Sequence, residues 1–211
     1  MARLVMSTEQ GSAWVDLEQA PDADRLLVIG HGAGGSVSAP DIEAVTRRCV
    51  QAGISVARVT QPYRVAGKKA PPRPPVLDAA WASIISQLAR RKDLKDVSFA
   101  FAGRSSGARV ACRCAADVDV VPRPFAVVAL AFPVHPPGKP ESSRIAELDG
   151  VGVPTLVVQG ESDPFGMPPP RRGRSIVVVA GDHGLKKSAP EVGEAVARWL
   201  VRRTIRSGRA S

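Results

Sequence analysis

The stretch Asp96-Val97-Ser98-Phe99-Ala100-Phe101-Ala102-Gly103-Arg104-Ser105-Ser106-Gly107 decides how the chain is read. Its first seven residues read as a buried strand, and Ala108 to Asp117 beyond it reads as a helix. The pentapeptide Gly103 to Gly107 therefore sits where a strand turns sharply into a helix, the setting that a G-x-S-x-G nucleophile elbow requires. Glycines at both ends keep Cβ atoms out of the crossing. Ser105 Oγ is then exposed at the carboxyl end of a sheet, with a helix N-terminus behind it.

An alkyl hydroxyl is a weak nucleophile at neutral pH and needs a histidine base oriented by a carboxylate. The histidines are His31, His135 and His183. After an elbow nucleophile the acid comes next along the chain and the base last, each on a loop after a late strand. Asp163 and His183 meet both conditions. Asp182 adjoins His183, but neighbouring side chains in an extended loop rarely face each other, so Asp163 is the preferred acid. Glu161 is read as structural or solvated.

Around this site the chain alternates strand and helix. Leu4–Ser7 and Ala13–Leu17 form an opening hairpin, and Arg25–Gly30 is a buried strand followed by a loop from His31 to Ala39. A helix runs from Pro40 to about Ala52 and is stopped by Gly53. A strand follows over Ile54–Val59, then a proline-rich loop over Gln61–Pro75 and a helix over Val76–Arg91 with an apolar stripe. Three more strands are expected at Phe125–Phe132, Thr155–Gln159 and Ser175–Val179, and a closing helix at Pro190–Arg203. This pattern predicts a mostly parallel sheet of about eight strands, covered by helices on both faces, with sites beyond the strands' carboxyl ends. All three triad candidates fall at that end.

At 211 residues the chain suffices for one domain. The expectation is a single domain over 1–211, with its core over about 25–203 and a basic flexible tail over 204–211. No apolar run is long enough to span a membrane. The start lacks the apolar segment of a signal peptide, and the three cysteines suit a reducing compartment, so a cytoplasmic location is expected. A net charge of +9 raises nucleic acid as a partner, yet the basic residues are scattered and aromatics are only 4%, which argues against specific nucleic-acid binding. Separated histidines and the lack of H-E-x-x-H or C-x-x-C spacing argue against a metal.

The loop His31-Gly32-Ala33-Gly34-Gly35 supplies the other half of the chemistry. A tetrahedral oxyanion needs two preorganised N–H donors, one after the nucleophile and one from the loop after this strand. Ser106 and Ala33 are the expected donors. No G-x-G-x-x-G with a suitably placed acid, and no G-K-[ST], turns this loop toward nucleotides, and no cofactor is expected.

Five blocks in order carry a family resemblance: the His31–Gly35 loop, Tyr63-Arg64-Val65-Ala66-Gly67-Lys68, the Gly103–Gly107 elbow, Phe132-Pro133-Val134-His135-Pro136-Pro137-Gly138-Lys139-Pro140-Glu141, and Gln159-Gly160-Glu161-Ser162-Asp163-Pro164-Phe165-Gly166. Together they resemble the small, lidless α/β-hydrolases related to dienelactone hydrolase. More narrowly they resemble the bacterial branch of the family whose animal members include a subunit of the non-specific-lethal chromatin complex. The resemblance spans about Leu26 to Leu200. It implies an α/β-hydrolase fold without a cap domain, a Ser105 nucleophile, an Asp163 acid and a His183 base, with Ala33 and Ser106 as oxyanion donors.

Other residues on the active face keep two readings each. His135 is a pocket wall or substrate contact, or it packs; Tyr63 lines the pocket or anchors a loop. Arg104 pairs with an acidic substrate group or with a local carboxylate, and His31 touches substrate or holds its loop. The expected function is a serine hydrolase of small carboxylic esters or thioesters. A noncatalytic interaction module binding a protein or nucleic acid is the alternative. Acyl transfer, perhydrolysis and homo-oligomerisation are left open.

Overall fold

The computed structural model describes residues 1–204, so the expected basic tail lies, from residue 205 on, outside the described residues. Eight strands form one sheet: β1 (Ala2–Thr8), β2 (Gly11–Glu18), β3 (Arg25–Gly30), β4 (Ser55–Thr60), β5 (Ser98–Arg104), β6 (Ala126–Leu130), β7 (Thr155–Gly160) and β8 (Arg174–Val179), ordered β1-β2-β4-β3-β5-β6-β7-β8. The β1–β2 and β2–β4 pairs are antiparallel. Every pairing from β4 onward through β8 is parallel.

The parallel strands are apolar on both faces because helices cover both. In β3, Leu26 and Val28 enter one core cluster while Leu27 and Ile29 enter the other. The first cluster is closed by Leu77, Trp81 and Ile84 of α3 (Pro74–Ala89) and by Val110 and Ala111 of α4 (Ser106–Ala116). The second is closed by Ile42 and Val45 of α1 (Pro40–Gln51) and by Val192 and Val196 of α6 (Ala189–Val201). This is the α/β-hydrolase architecture.

Strand order reverses at the middle of the sheet. The chain leaves β3 for β4 on one side, while β5 pairs with β3 on the other. Loops that leave adjacent strands in opposite directions open a crevice at the carboxyl ends. Here that crevice lies between the loop after β3 and the elbow after β5.

Several boundaries differ from the sequence reading. The proline-rich loop contains a short helix, α2 (Pro62–Val65), and α3 begins at Pro74 rather than Val76. Both helices carry proline in the first turn, where no intrahelical N–H is needed and the fixed φ is already helical. Helix α4 starts at Ser106, directly after the nucleophile candidate, and not at Ala108. Strand β6 stops at Leu130 because Ala131 adopts a positive φ of 46°. Between β6 and β7 lies one five-residue helix, α5 (Ile145–Asp149), too short for its periodicity to be read. No cap is built in this connection. Among the described residues no helix is long and apolar enough to cross a membrane.

Candidate active site

Ser105 occupies the turn between β5 and α4 with φ 53° and ψ −115°, a conformation costly for a residue with a side chain. Its surroundings hold it there. The Ser105 N–H donates to the Leu130 carbonyl at 2.8 Å, and the flanking glycines allow a close crossing. A Cβ at Gly103 would lie 2.1 Å from the Gly107 carbonyl carbon, and one at Gly107 would lie 2.6 Å from the His31 carbonyl oxygen. Any side chain at either position drives α4 off the sheet.

The structure brings Ser105, His183 and Asp163 together. His183 Nε2 lies 2.8 Å from Ser105 Oγ, and Nδ1 lies 2.9 Å from Asp163 Oδ2 and 3.1 Å from Oδ1. Since Asp163 accepts at Nδ1, that nitrogen carries the proton and Nε2 is free to accept from the serine. Asp163 is 1% exposed at its side chain and His183 17%, so the carboxylate is shielded while the imidazole meets solvent. Asp182 is exposed and is used locally, its Oδ1 accepting the Gly184 N–H at 2.8 Å.

Two residues unassigned in the sequence reading complete this arrangement. Gln159, fully buried in β7, donates from Nε2 to Asp163 Oδ2 at 2.8 Å. The Phe165 N–H donates to Asp163 Oδ1 at 2.9 Å, and the Phe165 ring stacks on the His183 imidazole with centroids 4.1 Å apart. Both lie in the Gln159–Gly166 block. The signal available was proximity to Asp163 alone.

The β3 loop lies against the elbow: a Cβ at Gly32 would be 3.4 Å from Ser105 Cβ. Gly32 to Gly35 form a turn closed by the Gly35 N–H on the Gly32 carbonyl at 3.1 Å. The Tyr63 hydroxyl donates to the Ala33 carbonyl at 2.6 Å, and the tyrosine is buried. Tyr63 therefore anchors this loop. Ser106 is the first residue of α4, so its N–H has no intrahelical acceptor and lies at the positive end of the helix.

His31 is buried with both ring nitrogens on backbone. Its Nε2 accepts the Gln61 N–H at 3.1 Å, which leaves Nδ1 to donate to the Gly32 carbonyl at 2.8 Å. Burial pushes this imidazole below its ordinary range, partly opposed by the Gly32 carbonyl. It stays neutral and ties the ends of β3 and β4 together. His135 lies against the acid's loop: its N–H donates to the Phe165 carbonyl at 3.1 Å, and a Cβ at Gly166 would be 2.6 Å from its Nε2. Arg104 takes the local-carboxylate reading, with Nε 3.6 Å from Asp41 Oδ2, and Nη2 donates to the His183 carbonyl at 3.0 Å.

Among the described residues no group of three or more His, Cys, Asp and Glu side chains is arranged to hold a metal. The three cysteines are free and buried. Burial pushes the Cys49 and Cys112 thiols up to about 12 and raises Cys114 as well, so none is poised as a nucleophile.

Comparison with known proteins bears on the family and the fold. The model of a family described as an alpha/beta hydrolase domain matches residues 23–195. The fold is similar to that of dienelactone hydrolase from Anabaena variabilis (17% identity, TM-score 0.75, covering 97% of this chain and 98% of that one). It is also similar to a lidless α/β serine hydrolase from Xanthomonas campestris (20% identity, TM-score 0.73, 95% and 94% covered). An esterase from Pyrococcus furiosus matches at 16% identity and TM-score 0.72, with 95% and 89% covered. No curated protein matches the chain. The narrower likeness to the branch with a chromatin-complex subunit finds no support in these matches.

Proposed function

Because the chain belongs to the alpha/beta hydrolase domain family, we propose that it is a serine hydrolase that cleaves small carboxylic esters or thioesters through an acyl-enzyme on Ser105. The observation that carries this reading is the unbroken path from Ser105 Oγ through the His183 ring to Asp163, with contacts of 2.8 and 2.9 Å.

In the first half-reaction His183 Nε2 takes the Ser105 proton as Oγ bonds to the substrate carbonyl carbon, and the carbonyl electrons move onto oxygen. The N–H groups of Ala33 and Ser106 receive that oxyanion, and loss of one such donor costs about 2.7 to 4 kcal/mol of transition-state stabilisation. The tetrahedral adduct collapses with departure of the alcohol or thiol, which takes the proton from Nε2. In the second half, His183 removes a proton from water, the resulting hydroxide attacks the acyl-enzyme, and the acid leaves as Oγ is reprotonated. Asp163 orients the imidazole throughout and stabilises its charged form. Tyr63 and His31 support the loop that presents Ala33, and His135 forms a wall beside the acid's loop.

An acyl-enzyme has a kinetic signature. With p-nitrophenyl acetate the expected result is a burst of p-nitrophenol stoichiometric with enzyme, followed by slower turnover, both lost in Ser105→Ala. Hydrolysis that persists at the wild-type rate in Ser105→Ala would reject the reading. A folded wild-type protein with no turnover would favour the noncatalytic interaction module.

A further inference from the structure

A buried carboxylate, Asp41, and a half-buried guanidinium, Arg104, face each other beside Ser105 and His183, and no step of the proposed reaction uses them. Asp41, in the first turn of α1, is 0% exposed, and neither carboxylate oxygen has a hydrogen-bond partner at full geometry among the described residues. Burial pushes its carboxyl up, and Arg104 beside it, together with the N–H groups that open α1, draws it back toward the ionised form. An ionised carboxylate is kept out of water only where a cation or hydrogen bonds compensate it. The cation here is the Arg104 guanidinium, 3.6 Å away.

That guanidinium is also engaged elsewhere. Its Nη2 donates to the His183 backbone carbonyl at 3.0 Å. Its Nη1 and Cδ fill the space over Gly32, where a Cβ would lie 3.1 and 3.5 Å from them. Arg104 is covalently next to Ser105. One side chain thus spans the loop of the base, the loop of the oxyanion donor and the start of α1, and its own backbone leads into the nucleophile.

Resting on the reading of Ser105 and His183 as nucleophile and base, we propose that Arg104, held in place by Asp41, is a positioning residue that clamps the His183 carbonyl and so fixes the distance between Nε2 and Ser105 Oγ. A planar guanidinium addresses the carboxylate and the carbonyl from different nitrogens at once, whereas a lysine ammonium is a single point charge. This assignment differs from a substrate contact, because a substrate carboxylate would compete with Asp41 and with the His183 carbonyl for the same group.

The test measures kcat and KM on p-nitrophenyl acetate, with active sites counted from the burst, alongside Tm. Arg104→Met is expected to lower kcat per active site by about tenfold to a hundredfold, the scale of a small misplacement of reacting groups. KM should stay within about twofold, since ground-state binding is untouched. Arg104→Lys should recover part of the lost kcat. Arg104→Met strands Asp41 without a cation and should lower Tm. Adding Asp41→Asn should then restore Tm while kcat stays low, which separates positioning from folding and also serves if Arg104→Met alone fails to fold.

A double variant with wild-type kcat, or an Arg104→Met enzyme with raised KM and unchanged kcat, would overturn the clamp and leave the hydrolase reading intact. A folded wild-type protein with neither burst nor turnover would overturn the hydrolase reading, and the clamp with it.

Discussion

Gln159 Nε2 sits 2.8 Å from Asp163 Oδ2 and also donates to the carbonyls of Gly166 at 2.9 Å and Phe132 at 3.1 Å. A buried amide with this many acceptors around it fixes the acid's loop to the end of β7 and supplies a charge-assisted bond to the carboxylate. Replacing it with leucine should cost about 1.5 to 3 kcal/mol in that bond. Gln159→Glu should be worse, because it places a second carboxylate against the first and favours protonation of the pair. The check is kcat/KM on p-nitrophenyl acetate for both variants. A Gln159→Glu enzyme as active as wild type would show that Gln159 does not hold Asp163.

The choice of acid has a direct test. Asp163→Asn should lose about 10⁴ in kcat, since an amide holds the imidazole in the wrong tautomer. Asp182→Asn should leave kcat within about threefold, because an exposed side chain that caps its own turn contributes little. The opposite ranking in steady-state assays would transfer the acid's role to Asp182.

Tyr63→Phe removes the hydroxyl that fixes the Ala33 carbonyl, 2.6 Å away, while keeping the buried ring. One neutral hydrogen bond is worth about 1 kcal/mol, so kcat is expected to fall roughly threefold to tenfold with KM little changed. A rise in KM at constant kcat would instead mark Tyr63 as a substrate contact.

The fold was legible because its signals are local and strong. The apolar runs at Leu26–Ile29 and Phe99–Ala102, the proline at Pro40 and the glycines at 103 and 107 each constrain backbone on their own, and the sheet follows from their alternation. Ser105, Asp163 and His183, which the structure brings together, were legible as candidates because three histidines left few choices of base and chain order ranked them. The supporting residues were not. Asp41 and Arg104 are 63 positions apart in numbering and meet only through the sheet's strand order. Gln159 looks in sequence like any polar end of a buried strand. The start of α3 was hidden because Pro74 and Pro75 mark loops as readily as first turns of helices.

The proposed hydrolase reading carries an expectation for substrate size, because the connection between β6 and β7 is short and its helix is five residues long. A deep apolar cavity would gain roughly 0.8 kcal/mol for each methylene it buries. A cleft with no cap over it gains little of that. A series of p-nitrophenyl esters should show kcat/KM greatest at short acyl chains of about two to four carbons, declining beyond, because added methylenes remain in water. A steady rise through eight or more carbons would establish a buried acyl tunnel.

Activation of Ser105 as a nucleophile can be tested without knowledge of the natural substrate. The wild-type protein is treated with a fluorophosphonate and the adduct located by mass spectrometry of its peptides. A single phosphonylated residue, Ser105, is expected, with no label on Ser106, since Ser105 Oγ stands 2.8 Å from His183 Nε2 at the elbow. Ser105→Ala should be folded and unlabelled. An adduct on Ser106, or a folded wild-type protein that takes no label, would rule out Ser105 as the nucleophile.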